Sequence, residues 1–201
     1  MTPARLRLLV VGVGGQGVLT AARLLGEAAM QADIEVMVGQ LHGMSQRGGA
    51  VECSVVIGSG KSSYIGTGGA DVVMALEPLE ALRALPMMSA RTRVVVNLGK
   101  IVPYSLAIQG KDYPSIAGIL ASVEETASRP YTVDGPALTG HVGLPRALNV
   151  VMLGALAGLG LLPFGDEILW QTIEKKIPER FVAANRRAFE LGRGATDGRQ
   201  E

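Results

Sequence analysis

Residues 8–11 form an unbroken aliphatic run, LLVV, that empties into glycines, after which the chain resumes as VLTAARLLGEAAMQA. A short continuous apolar run suits a parallel strand covered by helices on both faces, so the pattern predicts strand, tight turn and helix. Residues 35–38 supply a short second strand, and residues 41–49 (LHGMSQRGG) form a polar, glycine-ended loop. From residue 50 to residue 57, Val51, Cys53, Val55 and Ile57 alternate with Glu52 and Ser54, the period of two of a half-buried strand. Residues 62–65 are its expected hairpin partner, across a turn at residues 58–61. Residues 71–76 (DVVMAL) and 93–98 (RVVVNL) repeat the buried-strand pattern. Between them Glu77-Pro78 opens a helix to Leu85, with proline where a missing N–H costs little. Residues 115–127 read as an amphipathic helix and residues 131–133 as a short strand before Asp134-Gly135.

Beyond that point the pattern is helical only, over residues 145–162, 166–176 and 178–191. On the last of these, Phe181, Asn185, Ala188 and Phe189 trace one face while Arg186, Arg187 and Glu190 trace another. There is no internal repeat. The sum is an α/β fold: a three-layer α/β/α Rossmann-like arrangement around a mostly parallel sheet, with a hairpin insertion and C-terminal helices. Residues 1–192 are expected to form a single domain, of which 144–192 are the helical C-terminal part, and residues 193–201 a flexible tail.

Composition narrows the function classes. In 201 residues, 48% are hydrophobic and 18% charged, enough apolar material for one core without staples. A formal charge of +1, with acids and bases interspersed, leaves no electrostatic footprint for nucleic acid or an anionic membrane. The single cysteine, Cys53, excludes an intrachain disulfide and any cysteine-ligated zinc or iron–sulfur site built from this chain alone. Arg5 and Arg7 before the first apolar run imitate a signal sequence, but the run breaks into glycines too soon, so a cytoplasmic protein is expected. Residues 148–162 are nearly all apolar, yet they include Asn149 and stop at Pro163. They fall short of the roughly 20 residues a spanning helix needs and read as a buried core helix.

Two loops offer chemistry. Gly12, Gly14 and Gly17 make G-x-G-x-x-G between a predicted strand and helix, the context the dinucleotide fingerprint demands. Such glycines permit a tight turn and bring an anion near the free N–H groups at a helix start. The acidic partner for a ribose is missing, because the second strand reads VMVGQL and Asp33 and Glu35 lie at or before its start. Phosphate contact and simple tight packing of the helix on the sheet both remain open. In the second loop, Ser45, Gln46 and Arg47 present hydroxyl, amide and guanidinium donors between Gly43 and Gly48-Gly49, a set suited to carboxylate or phosphate. The plainer reading is a surface turn with one solvated arginine. If the first two strands are neighbours in a doubly wound sheet, both loops line one crevice. Elsewhere, His42 and His141 are far apart in sequence and lack a carboxylate cluster to complete a ligand set. Ser45 lacks a nucleophile elbow, Cys53 reads as an inert core thiol, and Met87-Met88 fill gaps or an interface.

GVGGQGV at residues 12–18, HGMSQRGG at 42–49 and ALEPLEALRAL at 75–85 resemble the gamma-type domain of the 2-oxoacid ferredoxin oxidoreductases, most closely in the indolepyruvate branch. The resemblance covers roughly residues 5 to 192, with the motifs in order and at matching spacing. It implies a larger alpha subunit as partner, carrying thiamine diphosphate and iron–sulfur clusters, with no cofactor bound by this chain alone and no catalytic residue on it. The implied reaction converts an aryl pyruvate, CoA and oxidised ferredoxin into an acyl-CoA, carbon dioxide and reduced ferredoxin. By position, Gly12, Gly14, Gly15, Gln16 and Gly17, with Ser45, Gln46, Arg47, Gly48 and Gly49, would face the partner's active site or the CoA. Against this stand a self-sufficient nicotinamide reductase, disfavoured by the absent acid, and a non-enzymatic nucleotide-binding module. The large apolar share of the C-terminal helices suits a permanent subunit contact and disfavours the latter.

Overall fold

The computed structural model describes residues 5–42, 49–60, 62–103 and 112–196. Within them β1 (Leu6–Val13), β2 (Val36–His42), β3 (Ala50–Ile57), β4 (Val72–Ala75), β5 (Arg93–Asn97) and β6 (Tyr131–Val133) form one sheet in the order β2-β3-β1-β4-β5-β6. β1, β4, β5 and β6 pair in parallel, whereas β3 runs antiparallel to both of its neighbours, β1 and β2. The helices are α1 (Val18–Gln31), α2 (Pro78–Arg83), α3 (Ile116–Thr126), α4 (Gly135–Val142), α5 (Leu148–Gly158), α6 (Asp166–Glu174) and α7 (Glu179–Thr196).

The strands are aliphatic because both faces are covered. Leu8, Val10, Val72, Met74 and Val95 point into a core shared with α1, α5, α6 and α7. Leu9, Val11, Val73, Ala75, Val94 and Val96 point into a second core closed by α2 and α3. Three layers result, as the alternation of strands and helices predicts.

Four details depart from expectation. β3 is not the half-buried strand its alternation suggests, since residues 53–57 are all buried. Its place between β1 and β2 covers both edges as well as both faces. Residues 62–65 do not pair with it. Ser63 instead lies so close over Gly39 of β2 that a methyl there would come 2.5 Å from its Oγ. The third departure is α4, which GPALTGHV conceals behind glycines, a proline and a threonine of low helix propensity. Its caps were nonetheless legible: Asp134 accepts from the Ala137 N–H at 3.0 Å, and Gly143 closes the helix at φ 70°.

At the C-terminus, residues 145–147 form a short 3-10 turn ahead of α5, whose residues from Val150 to Ala157 are buried. Among the described residues no helix is long and apolar enough to cross a membrane. α7 continues through Thr196, past the point where a tail was expected; Thr196 is buried and donates to the Ala155 carbonyl at 2.7 Å.

Candidate functional site

The glycine loop after β1 is largely consumed by packing. Gly12 is buried, and a Cβ there would meet Val18 at 2.8 Å and the Gln16 Oε1 at 2.9 Å. Gly17 caps α1 in the left-handed region, φ 85°, against the Asn149 amide. The side chain of Gln16 is engaged at both ends: its Oε1 accepts from the Val13 N–H at 2.8 Å and its Nε2 donates to the Leu76 carbonyl at 2.8 Å. The loop is thereby tied across from β1 to the end of β4. Gly14 donates its N–H to the Gly49 carbonyl at 2.9 Å. Gly15, with φ 105°, is exposed and lines an open cleft together with Gln16.

The Gly14–Gly49 bond corrects the expected route to a shared crevice. β1 and β2 are not neighbours, because β3 lies between them. β3 is antiparallel, so its first residue stands beside the last residue of β1, Ala50 opposite Val13. The second loop therefore returns to the glycine loop through β3. Gly49 is the member of that loop which the structure describes; Ser45, Gln46, Arg47 and Gly48 lie outside the described residues.

The cleft holds about 480 Å³ over the carboxyl ends of β1, β4 and β5. Ile101, Pro136 and Leu148 supply apolar wall, and Lys100 and Arg146 bring two cations to it. Both cations are exposed, and neither has an acidic partner among the described residues. The polar groups beneath them are already satisfied. Asn97 donates to the Leu76 carbonyl at 2.7 Å and accepts from Gly99 and Gly135, and the Thr139 hydroxyl donates to the Gly135 carbonyl at 2.8 Å. An anion entering the cleft thus meets a hydrogen-bonded floor and two positive charges that no acid among the described residues neutralises.

Beside the cleft, Glu77 is fully buried at the start of α2. Its Oε2 accepts from the N–H groups of Leu79 and Glu80, and its Oε1 from the Ile101 N–H at 3.0 Å and the Tyr113 hydroxyl at 2.6 Å. Burial, then the bond to Glu77, pushes the Tyr113 phenol above its ordinary range. Glu80, next to them, is pushed up by burial, opposed by Arg83.

Sequence reasoning missed Lys100 and Arg146. For Lys100 a signal existed: NLGK follows a buried parallel strand, where ligands gather in open α/β sheets. Arg146 gave none, since it follows the unforeseen α4, whose Pro136, Thr139 and Gly140 line the same cleft. Among the described residues no three His, Cys, Asp or Glu side chains cluster closely enough to hold a metal ion.

A family described as pyruvate ferredoxin/flavodoxin oxidoreductase matches residues 7–195. The indolepyruvate oxidoreductase subunit IorB of Methanothermobacter thermautotrophicus is 41% identical over 191 residues, 94% of this chain and 96% of that one. The gamma subunit of a keto/oxoacid ferredoxin oxidoreductase from Geobacter sulfurreducens shares the fold with a TM-score of 0.68 at 23% identity, covering 95% of this chain and 98% of its own. A 2-oxoglutarate:ferredoxin oxidoreductase from Magnetococcus marinus, solved with 2-oxoglutarate, coenzyme A and succinyl-CoA bound, aligns at a TM-score of 0.74 and 21% identity. That alignment covers 96% of this chain and 31% of the larger one.

Proposed function

Because the chain belongs to the pyruvate ferredoxin/flavodoxin oxidoreductase family, as a small subunit of the 2-oxoacid ferredoxin oxidoreductases, we propose that it completes an indolepyruvate-type active site by seating CoA in this cleft. The observation that carries the proposal is the pair of cations without acidic partners among the described residues, Lys100 and Arg146, standing over apolar wall beside the exposed Gly15. CoA has both kinds of surface: anionic phosphates for the cations and a long pantetheine arm for Ile101, Pro136 and Leu148. The neighbouring loop, with Ser45, Gln46, Arg47, Gly48 and Gly49, would face the same ligand or the partner. Arg47 is the cation there best suited to a bidentate anion contact.

The reaction joins an aryl pyruvate and CoA, with oxidised ferredoxin as electron acceptor, into an acyl-CoA, carbon dioxide, reduced ferredoxin and a proton. Iron–sulfur clusters do not fit this chain, whose one thiol, Cys53, is buried in β3. Together with thiamine diphosphate they belong on a larger partner subunit, where they would supply the decarboxylation and electron transfer. What this chain contributes is binding and orientation of the thiol cosubstrate, so that it reaches the partner's site in one pose. The stand-alone nicotinamide reductase and the non-enzymatic module find no support among the relatives.

Steady-state kinetics of the assembled enzyme test the reading. Arg146→Ala and Arg47→Ala should each raise the KM for CoA by about ten- to a hundredfold, the range of a lost charge-assisted hydrogen bond. Unchanged CoA kinetics in both folded variants would remove the cleft from the active site.

A further inference from the structure

A helix cap needs one oxygen, and short side chains serve best. Glu77 caps α2 with Oε2 alone, and its length carries Oε1 away from the helix to the exit of β5 and to Tyr113. One buried carboxylate therefore ties three pieces of chain that are separate in sequence. Two of them bear on Lys100. Ile101, whose N–H Glu77 holds, is the next residue along the chain. Tyr113, whose hydroxyl Glu77 holds, presents its ring 5.6 Å from the Lys100 ammonium. The Tyr113 oxygen also accepts from the Leu79 N–H at 3.1 Å, so the phenol is fixed from both sides.

We propose that the Glu77–Tyr113 pair is a positioning device for Lys100: it fixes the backbone after this lysine and the aromatic ring beside its ammonium, and so holds the charge over the cleft. Lysine side chains are flexible and strongly hydrated, and holding one in place ahead of binding removes ordering cost from the bound state. Neither Glu77 nor Tyr113 lines the cleft; each acts through Lys100. A phenol is protonated at neutral pH, and burial together with the bond to Glu77 pushes that of Tyr113 further up, so its hydroxyl is the donor in this bond.

This inference rests on CoA occupying the cleft, and the experiment separates the two. In the assembled enzyme, the KM values for CoA and for the 2-oxoacid are measured for Lys100→Met, Tyr113→Phe, Glu77→Gln and the double variant Tyr113→Phe/Lys100→Met, with thermal midpoints alongside. Tyr113→Phe keeps the ring and removes only the tether, so it remains informative if Glu77→Gln fails to fold. It should raise the KM for CoA about threefold to tenfold, the span of a modest hydrogen-bond contribution, and leave the KM for the 2-oxoacid unchanged. In the Lys100→Met background the same substitution should add nothing, since residues acting through one partner are not additive. An additive effect in the double variant, or an unchanged KM in a folded Tyr113→Phe enzyme, overturns the positioning role. An unchanged KM in Lys100→Met overturns the cleft assignment itself.

Discussion

Two neighbouring residues on β3 show how burial sets chemistry. The Cys53 thiol is pushed up to about 11 by burial first and by the adjacent Glu52 second, with Arg23 opposing. A thiol in that state carries almost no thiolate at neutral pH and is shielded besides. Maleimide should leave the folded protein unlabelled at about pH 7.5 and label Cys53 fully in denaturant; rapid labelling of the native chain would contradict its burial. Glu52 is half-buried, and desolvation raises its carboxyl above the usual range. The sign follows from proton uptake. Where pH lies between the unfolded and the raised folded value, the folded state binds the proton more tightly, so stability falls as pH rises through that window and stays lowered above it. Glu52→Gln should therefore stabilise the protein at neutral pH, and the gain should vanish below about pH 4, where the carboxyl is protonated in both states. Thermal midpoints of both proteins at the two pH values decide it, and an equal gap at each would refute the desolvation account.

At the scale of elements, the closest packing lies between α5 and α7. A methyl on Gly192 would land on the Val151 carbonyl oxygen, and one on Gly154 would land on the Phe189 carbonyl oxygen. These are backbone atoms and cannot step aside without moving a helix. Gly192→Ala should cost about 1–3 kcal/mol or more through overpacking, lowering the thermal midpoint by roughly 3–10 °C in a domain of this size. Gly194, on the same helix, faces open space, so Gly194→Ala should raise the midpoint slightly through helix propensity. A matching change in the two variants would mean that helix propensity, not close contact, governs this crossing. The pair also explains why α7 runs four residues into the segment expected to be a tail. Glycine-rich sequence near a chain end reads as loose, yet here Gly192 is the residue that lets two helices touch.

For the whole molecule, the expected outcome is division of labour. The purified chain should show no turnover with indolepyruvate, CoA and an electron acceptor, activity should return with the larger subunit, and calorimetry should detect no binding of NADH or NADPH. Turnover by the isolated chain, or micromolar nucleotide affinity, would count against the subunit reading. The layered α/β architecture, the position of nearly every strand and the family motifs were legible in residue order alone, because apolar periodicity and turn chemistry act over a few residues. β6 and the helix after Asp166 were placed by those local rules within a residue or two. Strand order was not legible: β3 lies between β1 and β2 because its residues 53–57 find cover on both faces and both edges only there, a non-local gain that no window of sequence contains. Tertiary structure likewise decided which groups face the cleft. It turned Gln16 inward to bind the ends of β1 and β4, and it brought Lys100 and Arg146 together across α4. The long reach of Glu77 to Tyr113 followed from the same packing, since a buried carboxylate needs donors and the fold supplied them from distant segments.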